Sequence, residues 1–302
     1  MGPSTRDLQG STYVVIFNRR ALAARALRRS GLEEALRERK LRFEIIETET
    51  ADESRAAAET AVQAGHVAVA AGGDGTAHVV LNGVLAAGRA DAVMGHVPLG
   101  TGNDLGAALG RVGGGLEQAL DALTDPHVHA IDVAQVNGEE YFINGLGVGF
   151  DAEVARHRAS HRFQVPGYFP CVVRTMLYYR PQSYRLTWPD GEWEGPALMT
   201  AAMNGRCEGG GFRLAPEARL DDGLLDVYRI DPVSYWQFLR YVWAVRRGTH
   251  DRLPMVQRWR TAKLKVESES RLQYHMDGEH RELPPGRSLE IELHPQRLQM
   301  IT

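Results

Sequence analysis

The sequence predicts an α/β protein in two parts: an N-terminal parallel-sheet α/β domain and a C-terminal antiparallel β-sandwich domain. Three observations carry this reading. Short apolar runs alternate with helix-period segments through the first part of the chain, the pattern of a parallel sheet covered on both faces. Two glycine-rich turns close consecutive predicted strands of that part. Near Ile131 the character changes, and short strands separated by turn residues recur, as in an antiparallel sandwich or open barrel.

The elements follow in order. Residues 13–17 (YVVIF) read as a buried strand. Residues 21–40 place Leu22, Ala26, Leu32 and Leu36 at near-helical spacing, with arginines on the other face. A second strand covers 43–46, a second helix 54–63, and a third strand 67–71 (VAVAA), which enters the turn at 72–76. A helix over 77–87 and a fourth strand over 93–97 lead into 98–104. Beyond the change, 131–136 and 140–146 flank Asn137-Gly138, a strong hairpin signal. Residues 184–188 and the segment around Trp193 flank Asp190-Gly191, a second one. Further strands are expected at 197–203, 225–230, 263–266, 272–276 and 288–293, with helices at 167–179 and 235–247. The expected domains are 1–130 and 131–302, with the last residues returning to pack on the first.

Bulk composition narrows the class. The 302 residues are 43% hydrophobic and 24% charged, values of an ordinary globular protein. A net charge of -3 argues against a dedicated nucleic-acid binder. Cys171 and Cys207 are too few for a disulfide framework and lack metal-ligand spacing, so inert thiols in a reducing, cytoplasmic setting are expected. The polar residues 1–11 lack the apolar core of a signal peptide, and no run nears the ~18 apolar residues of a membrane span. Any membrane contact is then peripheral.

Gly72-Gly73-Asp74-Gly75-Thr76 sits where a strand meets a helix, in the position at which α/β sheets bind ligands. Glycines let backbone N–H groups approach phosphate oxygens, and the helix adds its positive N-terminal end. Asp74 would repel phosphates directly, so it acts through Mg²⁺, an ordered water or a sugar hydroxyl. Pro98-Leu99-Gly100-Thr101-Gly102-Asn103-Asp104 repeats the arrangement after the next strand. The bland alternative is a pair of tight turns with Asp as a helix cap; two in succession, each with Gly, Thr and Asp, favour ligand binding. The G-x-x-x-x-G-K-[ST] phosphate loop is absent, as is G-x-G-x-x-G after the first strand.

Taken together, GGDGT (72–76), PLGTGND (98–104), IDVAQVNG (131–138), FINGLGVGFDAEV (142–154), NGRCEGGGFRLAPEARLDDGLLDV (204–227) and MDGE (276–279) resemble the diacylglycerol kinase catalytic-domain superfamily, and within it the bacterial soluble lipid kinases. The resemblance implies a nucleotide domain, a β-sandwich domain and a site in a cleft between them, with ATP as co-substrate. It places Gly73, Asp74, Gly75, Thr76, Ala77, His78 and Val79, with Gly72, Asn18, Thr48 and Thr101, at the nucleotide. Glu279 corresponds to the proton acceptor, although by itself Asp277-Gly278 reads as an ordinary hairpin turn and Glu279 as a solvated side chain. Asp74, Asp104 and Asp132 correspond to an acidic cluster that organises Mg²⁺ through water. A structural cation, Mg²⁺ or Ca²⁺, falls on the carbonyls of Arg219 and Leu224 and the carboxylate of Asp222; the residues alone also read as a turn.

Two departures stand out. Of the family's Asn-Pro with a following Ser-Gly pair, only Asn18 is present in 18–22 (NRRAL). Val79 replaces the acidic residue usual after the first glycine turn. The partner expected is a lipid substrate at a membrane surface and not a nucleic acid; the oligomeric state is left open, with a homodimer compatible. Trp236, Phe238, Trp243 and Trp259, interleaved with Arg240, Arg246, Arg247, Arg252, Arg258 and Arg260, suit an anionic interface, or else an amphipathic helix packed on the sandwich. Arg156 and the arginines up to Arg162, ahead of Phe163 and Tyr168, form a second such segment. His78, His96 and His275 are scattered, without metal-ligand spacing. The rival functions are an NAD kinase-like enzyme, which shares GGDGT, and a non-catalytic lipid- or nucleotide-binding regulator.

Overall fold

The structure, a computed structural model, describes residues 8, 10–19, 29–100, 102–111, 115–159 and 168–302. The chain divides into two compact units, Met1–Val133 with Pro295–Thr302, and Ala134–His294.

The first unit contains β1 (Tyr13–Asn18), α1 (Arg29–Glu38), β2 (Phe43–Thr48), α2 (Ala51–Gln63), β3 (Val67–Gly72), α3 (Asp74–Ala86), β4 (Val93–Pro98), α4 (Asp104–Ala108) and α5 (Leu116–Thr124); β5 (Val128–Val136) leads out of it. The strands run parallel in the order β2-β1-β3-β4, and Gln299 and Met300 add a further parallel pairing beside Val93 and Met94. β3 is buried along its whole length, which is why it reads VAVAAG without alternation. Leu32 and Leu36 of α1 and Leu120 and Leu123 of α5 pack with Val15, Phe17, Val69, Ala71 and Ile301.

Helix starts differ from expectation for identifiable reasons. α2 begins at Ala51 rather than residue 54, because Thr50 and Glu53 form a reciprocal capping box. α3 begins at Asp74 rather than 77, so Asp74, Gly75 and Thr76 form its first turn and Gly73 is its N-cap. The proposed start of the first helix, including Leu22 and Ala26, lies outside the described residues.

The second unit contains β6 (Glu140–Phe142), β7 (Gly145–Gly149), α6 (Phe150–Ala159), α7 (Tyr168–Met176), β8 (Gln182–Trp188), β9 (Gly191–Ala197), β10 (Met199–Met203), β11 (Leu225–Ile230), α8 (Tyr235–Arg247), β12 (Val256–Thr261), β13 (Lys263–Glu267), β14 (Leu272–Met276), β15 (Glu279–Leu283) and the first part of β16 (Leu289–Ile301). One layer runs β16-β13-β8-β9 with β5 and β6; the other is the antiparallel sheet β12-β11-β10-β7-β14-β15. Side-chain alternation serves two cores. Ala202, Leu225 and Val227 face the sandwich interior with Leu264, Val266 and Ile291. Met199, Ala201, Met203, Tyr228 and Ile230 face Phe150, Val172, Phe238 and Val242 of the three helices.

Three strand expectations are corrected here. The run 140–146 is two strands in different layers, β6 and β7, because the chain crosses over at Ile143-Asn144. The run 197–203 likewise breaks at Leu198, where the chain passes from β9 to β10. In the second hairpin Trp188 pairs with Gly191, so the turn residues are Pro189 and Asp190, with Gly191 already in the strand. The Asn137-Gly138 hairpin holds as read: both residues have positive φ (52° and 69°), and the Glu139 N–H donates to the Val136 carbonyl at 2.9 Å. Among the described residues no helix is long and apolar enough to cross a membrane.

Candidate functional site

In the first unit the carboxyl ends of four parallel strands line up. Asn18 lies opposite Thr48, Phe17 opposite Ala71, and Gly72 opposite Pro98. From β1 the chain goes to β2 on one side and later to β3 on the other, so the topological switch point falls between β1 and β3. The 72–76 turn opens there.

The two glycine turns touch backbone to backbone. A Cβ built on Gly73 would lie 3.2 Å from Gly100 Cα, and one on Gly100 would overlap Gly73 itself. Leu99 N–H donates to the Gly72 carbonyl at 2.8 Å. Asn103, in the left-handed region at φ 57°, closes its own loop: its Oδ1 accepts Gly100 N–H (2.9 Å) and its Nδ2 donates to the Gly100 carbonyl (3.0 Å). Asp74 Oδ1 accepts the Leu105 N–H at 3.1 Å, tying the first turn to the start of α4. Gly73 offers no side chain to cap α3, so the first-turn N–H groups, which lack an intrahelical acceptor in any helix, meet the turn with the positive end of the helix dipole.

The remaining expected nucleotide residues distribute around this edge. Thr76, Ala77 and His78 are buried in α3, with Thr76 packed so closely over Gly72 that any side chain there would collide with it; Val79 is half-buried. Thr48 is buried and bonds Ser54 (Oγ1 to Oγ, 2.7 Å). Thr101 lies outside the described residues. Beneath the turns, His96 is buried; burial, reinforced by the Arg111 charge, holds its imidazole down at about 3. Arg111 is itself buried and donates to the carbonyls of His96 (2.6 Å) and Ile301 (3.1 Å).

The acidic residues have distinct settings. Asp104 is buried at the start of α4. Asp132 is fully buried, and its Oδ1 accepts the N–H of Gln296 (2.8 Å), a non-glycine residue at φ 51°. Asp74, Asp104 and Asp132 do not bring three ligand oxygens within 4.8 Å of one another.

In the second unit Glu279 opens β15 and is exposed, at the end of a tight turn in which Asp277 (φ 48°) and Gly278 (φ 86°) join Met276 to Glu279. Sequence reading missed the strength of that turn. The buried Asp277 carboxylate accepts N–H groups from Ile143 (3.1 Å), Asn144 (2.8 Å) and Gly145 (3.1 Å), while Asp277 N–H donates to the Gly145 carbonyl (2.9 Å). This same contact causes the β6–β7 break.

Asp222 Oδ1 accepts Leu224 N–H (3.2 Å), and its Oδ2 accepts from the Arg260 guanidinium. A cation on Asp222 and the carbonyls of Arg219 and Leu224 would share the carboxylate with Arg260, which occupies Oδ2.

The basic–aromatic segment separates into two populations. Phe238 is in the helix-facing core, Trp259 stacks on Trp188 at 4.7 Å, and Arg258 pairs with Asp226 and Glu217. Trp236, Arg240, Trp243 and Arg247 are exposed and, at intervals of three and four residues, share one face of α8. Arg156 pairs with Glu153, and 160–167 lie outside the described residues. The helix-facing core also borders a partly open cavity of about 50 Å³, lined by Phe150, Val172, Phe212, Phe238 and Tyr241 and by two carboxylates, Asp151 and Glu208. These carboxylates meet His275, contrary to the expectation that the histidines have no ligand partners; residues 151, 208 and 275 are too distant in sequence for spacing to show it. Burial and the neighbouring Asp151 charge push Glu208 up to about 7. Burial works against a charged His275, yet the Glu208 and Asp151 charges raise it well above its ordinary value.

Known proteins place this architecture. Residues 12–136 match the diacylglycerol kinase catalytic domain, and 144–302 match the YegS C-terminal NAD kinase beta sandwich-like domain. The chain belongs to this diacylglycerol kinase and YegS-type lipid kinase family. It is 34% identical over 253 residues to a Pseudomonas aeruginosa protein named "Probable lipid kinase YegS-like", covering 82% of this chain and 80% of the relative. It is 28% identical over 253 residues to the diacylglycerol kinase of Bacillus subtilis, covering 80% of each. A solved diacylglycerol kinase structure from Bacillus anthracis has the same fold, with a TM-score of 0.73 at 18% identity over 96% of each chain.

Proposed function

We propose that the chain is an ATP-dependent lipid kinase that transfers the γ-phosphoryl group to a hydroxyl of a membrane lipid such as diacylglycerol or phosphatidylglycerol. The observation that carries this reading is the pair of glycine turns in contact at Gly73 and Gly100, beside the switch point of a parallel sheet. Phosphoryl transfer needs positioning and charge neutralisation more than covalent chemistry from the protein. The uncapped N-terminus of α3 supplies fixed N–H donors for phosphate oxygens, and the close approach of the two turns leaves the backbone itself as the cradle. Thr48 and Asn18 border the same edge and would contact the nucleotide, as would Thr101. Asp74, Asp104 and Asp132 would hold Mg²⁺ through water, and the ion would offset the charge of the transferring group.

Glu279 is the proposed proton acceptor for the lipid hydroxyl. Its exposed carboxylate is free to meet a substrate, while the Asp277 anchor fixes the turn that presents it. Membrane contact is assigned to the Trp236, Arg240, Trp243 and Arg247 face of α8, whose indoles suit the interface and whose guanidinium groups suit anionic headgroups.

The test is labelled ATP with Mg²⁺, offered with diacylglycerol, phosphatidylglycerol, ceramide or sphingosine in mixed micelles, and separately with NAD. We expect a phosphorylated glycerolipid, identified by mass spectrometry, that disappears in Glu279→Gln. Label entering NADP alone would overturn the lipid assignment. Nucleotide binding with no transfer to any acceptor would instead indicate a regulator.

A further inference from the structure

We propose that Asp151, Glu208 and His275 form a binding site for one divalent transition-metal cation of the zinc or manganese type. The site is independent of the residues assigned to nucleotide or to proton transfer.

The three side chains come from separate elements: Asp151 from the first turn of α6, Glu208 from the loop after β10, and His275 from β14. All three are buried, His275 to 1% exposure, and their ligand atoms lie within 4.8 Å of one another. His275 Nε2 is 3.2 Å from Asp151 Oδ2 and 2.6 Å from Glu208 Oε1. Around a tetrahedral ion with bonds of ~2.0 Å, adjacent ligand atoms stand ~3.3 Å apart. The first separation therefore needs no change, and the second needs to open by less than about 1 Å.

Asp151 Oδ2, Glu208 Oε2 and His275 Nε2 are buried without a well-formed hydrogen bond. Among the described residues neither carboxylate is paired with a lysine or arginine. Buried carboxylates normally find a cation or coordinate a metal. Two carboxylates and a neutral imidazole balance a dication, and mixed nitrogen and oxygen donors select the zinc and manganese class over calcium. The backbone has made room for the cluster at Gly147, where any side chain would strike both Asp151 Oδ2 and His275 Nε2. Asp151 and Glu208 also line the cavity of about 50 Å³, which gives a fourth ligand such as water a place to sit.

The competing arrangement is a metal-free ion network. There a protonated His275 directs its Nε2–H at the Glu208 and Asp151 carboxylates, and no ion is needed to balance them. The full-length protein, stripped with chelator and dialysed against Zn²⁺ or Mn²⁺, distinguishes the two. Metal content by mass spectrometry should show about one equivalent retained, with a rise in melting temperature. Glu208→Gln and His275→Asn should each weaken binding by at least ~10-fold. No metal retained by the folded wild type, or equal retention in both variants, overturns the proposal. Should the variants unfold, the Co²⁺-loaded wild type decides: paramagnetically shifted imidazole proton resonances are expected, and their absence rules the site out.

Discussion

Asp74 accepts a hydrogen bond from the backbone N–H of Leu105, 31 positions later, so the residue expected to manage nucleotide charge also fixes the second glycine turn. Asp74→Asn retains an oxygen for that bond while losing the charge. We expect it to fold, losing about 0.3–1 kcal/mol with the negative charge at the N-terminal end of α3, and to lose transfer activity by ~100-fold or more. Equal activity in Asp74→Asn and wild type, measured with labelled ATP, would remove Asp74 from the reaction.

Gly100→Ala tests the contact between the turns. The new methyl group would overlap Gly73 backbone, which cannot yield as a flexible side chain can. Backbone displacement of this kind destabilises by ~1–3 kcal/mol, and nucleotide affinity should fall with it. Isothermal titration with a non-hydrolysable ATP analogue provides the check; unchanged affinity means the cradle lies elsewhere.

Asp277→Ala should be among the most damaging single changes in the second unit. Three buried N–H groups lose their shared acceptor, at roughly 1–3 kcal/mol for each left unsatisfied, less whatever water recovers. Asp277→Asn, with an acceptor oxygen but no charge, should fall between. Urea unfolding of the three proteins reads the order directly.

Acid should weaken the first unit through His96. Its unfolded value is near 6.5 and burial with Arg111 lowers the folded value to about 3, so the unfolded chain binds the proton first. The stabilisation is complete above pH 6.5 and is lost as pH falls from there toward 3, by up to ~1.4 kcal/mol per pH unit. His96→Gln should flatten this acid limb in urea titrations between pH 7.5 and pH 5, after correction for any change in stability at neutral pH.

Vesicle sedimentation tests the exposed face of α8. Trp236→Ala with Trp243→Ala should reduce binding to anionic vesicles by ~10-fold or more, and a thermal melt of the double variant separates this from the loss of the Trp243 contact with Phe169. Arg240→Gln with Arg247→Gln should weaken binding at low salt and flatten its dependence on salt, because the screened charge attraction is what those side chains supply. Wild-type binding in both double variants would assign membrane contact to another surface.

Much of the fold was legible because periodicity reports burial directly. VAVAA, an apolar run closed by a glycine turn, reads as a strand covered on both faces, and 235–247 reads as a helix, whose ends the structure shows to be a Ser234–Gln237 capping box and a left-handed Gly248. Short elements escaped for the opposite reason. β6 is three residues long, and its separation from β7 depends on Asp277, more than 130 positions away. α5 carried Ala119, Leu120 and Leu123 on one face and was overlooked between two turns. At the candidate site, motif residues came together where strand ends meet, as local sequence implies. Most partners of the arginines did not show: Arg258 and Arg260 looked like a basic surface, yet beside the nearby Asp251 their carboxylates are Asp226, Glu217 and Asp222, each 32 or more positions away.

The Arg111 clamp on the Ile301 carbonyl has a consequence for the order of folding. The sheet of the first unit takes its edge pairing, Gln299 and Met300 beside Val93 and Met94, from residues more than 200 positions further along the chain. Ala134–His294 is one uninterrupted stretch. A contact of such separation forms only after a very long loop has closed: the sandwich can settle while the parallel sheet still waits for its edge.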